Sequence, residues 1–501
     1  MLNLLKSVPS IAAIEANYNV GSLFDIPTGM YHKGVHGESI LSSGVSSINS
    51  IAGPPNSFKS ALILYNLLTI ASQVRGTQAW IYDTEGSMKY PRIKQLAKRF
   101  PKLKDIDFGS EAIRGTEDDR FTVTSSKEMM GEKFFEMLKE IVDGRDKDRV
   151  KQTLTTPFLI PGKDEHLKAL LPLNVIIDSL SNFEVSQLNA KMIDKNELGD
   201  SGNNMFFMKS GIVKKFLINQ LPLLTNTGGI CMWMTAHVGD EFDLDGPYAP
   251  KKHKMTHARK GSKVTGTTKA FEFINTVVWE IHNASLLNNS ASRTGVLYPN
   301  GDLDRDENSK DLIKLRVVTM RSKLGGSGIQ LDLIISQREG HLPALTQFHY
   351  CKESKDATDL KGAIGWGVEG SSQSYFMSLY PEAKLGRTTV RAKLDDDEKL
   401  RRAVHISSEI LQMKSLWVGY DDDFFCEPSV LRDDLIAKGY DWDILLDTRS
   451  YWVFKEHEQF EDKPYLSTMD LLLMRTGEYH PYWYDDLIKK LGKDKPKEKG
   501  K

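Results

Sequence analysis

The chain has 501 residues, 40% of them hydrophobic and 27% charged, with 66 Lys+Arg against 67 Asp+Glu. That length exceeds one compact core and predicts two or three domains. The balanced charge excludes a globally basic nucleic-acid binder, so any such contact must come from a local patch. The three scattered cysteines, Cys231, Cys351 and Cys426, exclude a disulfide framework or clustered zinc site and suit a reducing cytoplasm. The apolar run around residues 61–71 is far short of a membrane span.

The first 17 residues form a short amphipathic stretch without a cleavage site. Next, a strand-like run ending near Ile51 leads into Gly53-Pro54-Pro55-Asn56-Ser57-Phe58-Lys59-Ser60 and then an apolar, glycine-free helix to Ala71. Strand, loop and helix make the arrangement in which backbone N–H groups and a helix N-terminus converge on phosphates. Gly53, Lys59 and Ser60 hold phosphate-loop spacing, with Lys59 reaching the β/γ-phosphates of ATP and Ser60 meeting Mg²⁺. Phe58 stands where that pattern has its second glycine. An aromatic there predicts a backbone position that does not need positive φ. A plain glycine-proline turn before a buried helix is the alternative.

Two further strands follow. Residues 77–83 are apolar and end at Asp83, Thr84 and Glu85; Leu173 to Ile177 end at Asp178 and Ser179. In parallel α/β sheets ligands bind at the carboxyl ends of strands. Asp178 is therefore expected to hold the Mg²⁺ water shell, and Glu85 to orient the attacking water. Residues 147–171 lie between them. After a polar segment, Met205, Phe206, Phe207, Met208 and Lys209 precede a helix with Ile212, Phe216, Leu217 and Leu221 as its apolar positions. The aromatics either stack on bases or cap a core. A fifth strand, from Ile230, ends at His237.

A long aperiodic segment comes next. Acids at 240–245 give way to Lys251, Lys252, Lys254, Arg259, Lys260, Lys263 and Lys269. Such a strip is either a solvated surface or a site for phosphate backbones. Two strands, 312–320 and 329–335, flank a glycine turn, with Arg321 and Lys323 between them. Beyond Phe348 a helix-like stretch and an aromatic-rich region predict an α+β domain, and the lysine-rich end predicts a mobile basic tail.

The phosphate loop with Phe before Lys, the Tyr82–Gly86 strand end and the Ile176–Asn182 segment resemble the RecA family of recombinases, in its phage UvsX-like branch. The resemblance spans about residues 40–345, and residues 147–171 look like an insertion relative to the family. It implies an α/β fold: a RecA-like P-loop ATPase core with a mainly parallel sheet flanked by helices at 41–347. An N-terminal oligomerisation segment at 1–40, an α+β domain at 348–485 and a basic tail at 486–501 would complete the chain. It also implies ATP and Mg²⁺ as cofactors, Tyr90 in the nucleotide-binding set, and His237 as γ-phosphate sensor. Arg321 and Lys323 become fingers reaching a neighbour's ATP. Met205, Phe206, Met208 and Lys209 fall to a first DNA-binding loop, and the cations from Lys251 to Lys263 to a second. Partners would be single- and double-stranded DNA, further copies of the chain in a helical filament, and mediator and single-strand-binding proteins, in the cytoplasm of a bacterial host. A ring-forming helicase or motor on the same core is the alternative, and a filament protein whose nucleotide controls assembly alone is another.

Overall fold

A computed structural model describes residues 15–492 except 22, 128, 186–201, 241–254, 269, 288–296, 301–309, 357–366, 372–373, 418 and 422; for 202–210 and 355–356 it describes the backbone alone. Its centre is a ten-stranded sheet. In chain order the strands are β1 (Ile48–Gly53), β2 (Gln78–Asp83), β3 (Phe121–Ser125), β4 (Leu173–Asp178), β5 (Ile230–Asp240), β6 (Ser262–Thr265), β7 (Val277–Leu286), β8 (Leu312–Ser322), β9 (Gln330–Ser336) and β10 (Gly340–His341). They lie side by side as β10-β9-β8-β7-β1-β5-β4-β2-β3, with β6 paired to β5. From β7 to β3 every neighbour is parallel. Strands β8 to β10 extend the sheet antiparallel.

Apolar-rich runs in β2, β4 and β5 suit the parallel half, because both of its faces are covered. Alternate residues serve opposite faces. Ile51, Ile81, Ile176 and Trp233 share one apolar cluster with helices α1 (Lys59–Gln73) and α2 (Tyr90–Ala97). Ala52, Tyr82, Val175, Ile177, Met232 and Met234 share another with α3 (Gly131–Lys147) and α4 (Gly202–Gly228). The α/β core expected from the strand pattern is present: a large, mostly parallel sheet between helices. No helix among the described residues is long and apolar enough to cross a membrane.

The flanking regions are woven into this core. Residues 15–42 include a hairpin, Met30–Lys33 with Ser39–Ser42. The amide of Ser39 donates to the Asp470 carboxyl at 2.7 Å, and the Trp452 indole N–H donates to the Asn17 carbonyl at 2.9 Å. Helix α5 (Pro343–Asp356) runs across residues 347 and 348, and α6 (Glu398–Leu416) packs with it in a third apolar cluster that reaches Ile334 and Leu342 of the core. Residues 147–171 form a hairpin, Thr153–Leu159 with His166–Leu170. Its Phe158 ring meets Trp452 edge-on at 5.1 Å, which braces the core against the C-terminal region. At the chain's end, Tyr484–Lys490 is helical, and residues 493–501 of the expected tail lie outside the described residues. Tyr479 and Tyr484 of the aromatic-rich region are buried in that third apolar cluster.

Two buried acids brace these regions, Asp25 within the N-terminal segment and Asp470 between that segment and the C-terminal region. Asp25 accepts the N–H groups of Val20 and Gly21, and Asp470 those of Ser39 and Ser467. Burial pushes both carboxyls up to about 7. Their folded values exceed the unfolded one, so their stabilisation is complete below about pH 4 and is lost as pH rises through 7, by at most roughly 4 kcal/mol each. Thermal unfolding should therefore occur at lower temperature at pH 8 than at pH 6, and Asp25→Asn should flatten that slope while lowering stability at pH 6.

Candidate nucleotide-binding site

Strand register decides what meets at the carboxyl edge of the sheet. Gly53 at the end of β1 lies level with His237 of β5, and Asp83 of β2 level with Asp178 of β4. The phosphate-loop candidate, the sensor candidate and both acids thus share one edge.

In the loop, Pro54 and Pro55 have no N–H to offer. The free-standing donors begin at Asn56. The Ser57 hydroxyl closes the turn by donating to the Pro54 carbonyl at 2.6 Å. Gly53 has no room for a side chain, because a Cβ there would sit 2.8 Å from Ser57 Oγ and 3.0 Å from Ile281 Cβ. Lys59 opens α1 and is buried. Its Nζ donates to the carbonyls of Gly53 at 3.1 Å and Pro54 at 2.8 Å. Burial lowers the Lys59 ammonium below its usual range, against the pull of Glu85 and Asp178.

The expectation for Phe58 is overturned. Phe58 has φ 63° and ψ 20°, so it occupies the left-handed region that the glycine of the general pattern supplies, and Asn56 does so too at φ 55°. Its half-buried ring packs against the apolar cluster under α1, which offsets a backbone cost of about 1–2 kcal/mol.

Asp178 is buried, and three hydroxyls donate to it. Ser60 Oγ lies 2.7 Å and Ser87 Oγ 3.0 Å from Oδ2, while Thr235 binds Oδ1. Burial raises the Asp178 carboxyl, and these hydrogen bonds oppose the rise. Glu85 accepts from His237 Nε2 at 2.6 Å and from Asn182 Nδ2 at 3.3 Å. Burial raises its pKa too, but the Ser179 hydroxyl, His237 and Lys59 outweigh it and hold Glu85 below the usual carboxylate range. With Glu85 ionised, Nε2 of His237 carries the proton, and Nδ1 has no partner among the described residues. The hydroxyl of Ser60 and the carboxylate of Asp178 are an all-oxygen pair. Such a pair suits Mg²⁺, which takes one or two carboxylates and completes its shell with water and phosphate. The loop amides and Lys59 fit a triphosphate.

Other expected residues lie elsewhere. Tyr90 is tied to β3, accepting from the Val123 N–H at 3.2 Å and donating to the Phe121 carbonyl at 3.3 Å, and has no described hydrogen bond to the loop. Arg321 lies level with Val278, which lies level with Ser50. Lys323 follows β8 at the amino edge of the parallel strands, where its N–H donates to the Thr276 carbonyl. Residue 53 is therefore about 10 Å further along the sheet from Arg321. Both cations face one short helix, Ala270–Ile274: Arg321 donates to the Glu272 carbonyl at 2.8 Å and Lys323 to the Ile274 carbonyl at 3.2 Å. Within one chain they do not join the site.

Helix α4 begins at Gly202, so Met205, Phe206, Met208 and Lys209 lie on its first turns rather than in a loop. Further along, Leu217 and Leu221 are buried, whereas Ile212 and Phe216 are exposed. Lys251, Lys252 and Lys254 lie outside the described residues. Arg259, Lys260 and Lys263 are exposed, and Lys263 belongs to β6, which pairs back onto β5. The buried Glu280 carboxyl anchors this return by accepting the Arg259 N–H at 3.0 Å.

The sequence reading missed Ser87, Thr235 and Asn182. A signal existed for Thr235: it stands two residues before His237 in a strand, hence on the same face. No protein-family model matches the chain, and no curated protein matches it significantly. The geometry therefore stands by itself.

If the Phe58 ring offsets left-handed strain, removing the ring without relieving the backbone is the worse change. Phe58→Ala should be less stable than Phe58→Gly by about 1 kcal/mol, the reverse of the usual alanine preference at a helix start. Urea unfolding of the two variants measures the difference.

Proposed function

We propose that this chain is an ATP-dependent DNA recombinase of RecA type, which binds ATP and Mg²⁺ at the carboxyl edge of β1, β5, β4 and β2 and assembles as a filament on single-stranded DNA to pair homologous strands. The observation that carries the reading is the common edge itself. Lys59 and Ser60, the ionised Glu85, the buried Asp178 and His237 come from four adjacent strand ends and are linked by hydrogen bonds of 2.6–2.7 Å between Glu85 and His237 and between Ser60 and Asp178.

In this reading the loop amides and Lys59 hold the β- and γ-phosphates. Bound Mg²⁺ supplies charge neutralisation on the phosphate oxygens. Glu85, kept ionised, accepts the proton of the attacking water, and the His237 N–H that it holds is released to follow the γ-phosphate. Arg321 and Lys323 sit on the other edge, so their cations serve the ATP of an adjacent copy. That makes hydrolysis depend on assembly. Exposed Arg259, Lys260 and Lys263, with the lysines before them, supply the sequence-independent hold on phosphate backbones, and base pairing between strands supplies specificity.

Purified protein should hydrolyse ATP faster with single-stranded DNA than without it. Lys59→Ala should abolish turnover. Glu85→Gln should lower it about 10²- to 10³-fold while leaving nucleotide binding intact, as loss of a positioned base does. Displacement-loop formation with matched DNA and open helical filaments in electron micrographs complete the test. Closed rings of fixed size, with strand unwinding, would establish the motor reading instead. Filaments whose assembly needs ATP but which show no turnover would leave a regulatory assembly protein.

Salt gives a second check on the DNA assignment. Affinity for single-stranded DNA should fall steeply between 50 and 200 mM salt, and the slope should shrink by roughly 0.7 for each of Lys260→Ala and Lys263→Ala.

A further inference from the structure

The turn that follows Asp178 touches three parts of the molecule at once. Residues Leu180–Asn182 form a single 3-10 turn. Within it, the Ser181 hydroxyl accepts the His237 N–H at 2.8 Å and donates to the Thr265 carbonyl at 2.7 Å. Those partners stand opposite each other on β5 and β6, the two strands that lead into and out of the basic segment. Asn182, next in the chain, donates to Glu85 at 3.3 Å. Phe183 lies beneath the Lys214 ammonium, 5.9 Å from its ring centre.

Lys214 closes the circuit. It sits on α4, the helix that follows residues 186–201, and its Nζ donates to the Gly266 carbonyl at 2.7 Å. Gly266 has φ 67°, and a Cβ there would come within 2.7 Å of the Ser181 carbonyl oxygen. The root of the basic segment is thus pressed against the turn with no slack. Its other tie runs to α4, the helix whose first turns carry Met205 to Lys209, the first candidate DNA-binding segment.

We infer that Ser181 is a positioning residue that couples the nucleotide edge to both DNA-binding segments, because its one hydroxyl joins His237 and Thr265 while its neighbours hold Glu85 and, through Lys214, α4. The inference rests on the recombinase reading for what the segments bind, but the tie itself does not. A hydroxyl is needed because it donates and accepts at the same time; alanine does neither, and threonine does both. When His237 moves with its Glu85 contact, its own backbone N–H drags or frees Ser181, and the Thr265–Gly266 root follows. Both segments then answer one event together.

Two measurements on the full chain test this. In the nucleotide-free protein, Ser181→Ala should speed hydrogen exchange at the His237 and Lys263–Gly266 amides and in the 211–214 turn of α4, while Ser181→Thr should not. In turnover assays, Ser181→Ala should cut the ratio of DNA-stimulated to unstimulated ATP hydrolysis about tenfold, a typical coupling free energy between sites. Its unstimulated rate and ATP affinity should stay within about twofold of wild type, and Ser181→Thr should restore the ratio. Gly266→Ala, which pushes the root off the turn, should lose the ratio in the same way. Unchanged exchange in Ser181→Ala overturns the tie, and an unchanged stimulation ratio overturns the coupling. A wild-type chain without DNA-stimulated turnover sinks the recombinase reading and with it the coupling to DNA, while the exchange experiment still decides whether the tie exists.

Discussion

The buried Asp178 carboxyl is the contact on which the rest of the site depends. An ionised carboxyl removed from water costs several kcal/mol unless hydrogen bonds replace its hydration. Here three hydroxyls replace it, and each comes from a different element. Ser60 fixes the first turn of α1, Thr235 fixes β5, and Ser87 fixes the segment after β2. Satisfying one buried carboxyl therefore sets the relative positions of the Gly53–Ser60 loop, β5 and the chain that carries Glu85. A reciprocal pair next to it does the same for the backbone. Thr84 Oγ1 donates to the Ser179 carbonyl at 2.9 Å and accepts the Ser179 N–H at 2.7 Å, which locks the ends of β2 and β4 together. Glu85 follows one residue later with little freedom left.

The parallel sheet gives the molecule two unlike edges. The carboxyl edge gathers Lys59, Glu85, Asp178 and His237; Arg321 and Lys323 stand towards the amino edge, held by the last carbonyls of the Ala270–Ile274 helix. Cations at a helix C-terminus are at ease there, so the pair needs no acid of its own to remain in place. A surface with a candidate phosphate site on one side and paired cations towards the other would suit head-to-tail association. That kind of contact generates a ring if its rotation closes and a helix if it does not. The proposed dependence of hydrolysis on assembly rests on this polarity.

Much of this was legible in the sequence, for physical reasons. Strands covered on both faces need apolar runs, so β2, β4 and the first half of β5 stand out as Ala79–Tyr82, Val175–Ile177 and Ile230–Met234, while β1 shows only Ile48 and Ile51 around two buried polar residues, and the chemical residues follow at their ends. The extension of β5 to Asp240 was not legible, because it exists by pairing with β6, some 25 residues away in an aperiodic stretch. The helical start of α4 at Gly202 was equally hidden, since glycine and two asparagines argue against a helix. Hydroxyls were the largest gap. Ser87 and Ser181 carry no periodicity, and their importance appears when strand register sets them around one carboxyl or one turn; Thr235 had only its strand phase with His237 to mark it.

Phe58 shows how a motif can depart from its pattern and keep its geometry. Glycine would adopt φ 63° without strain, but a glycine loop is also free in the unfolded chain, and ordering it is entropically costly. This loop takes the opposite course. Two prolines restrict it beforehand, Ser57 clips it to Pro54, and Lys59 is bonded to the carbonyls of Gly53 and Pro54. The aromatic ring then holds the strained residue from outside the loop, by packing on the cluster beneath α1. The left-handed turn is thus maintained by the core rather than by the absence of a side chain. Because that same cluster includes Ile51 of β1 and Leu62 to Ala71 of α1, anything that shifts the sheet against the helix acts on the Gly53–Ser60 loop through the ring. A glycine at 58 would sever this link while leaving the loop's left-handed backbone in place.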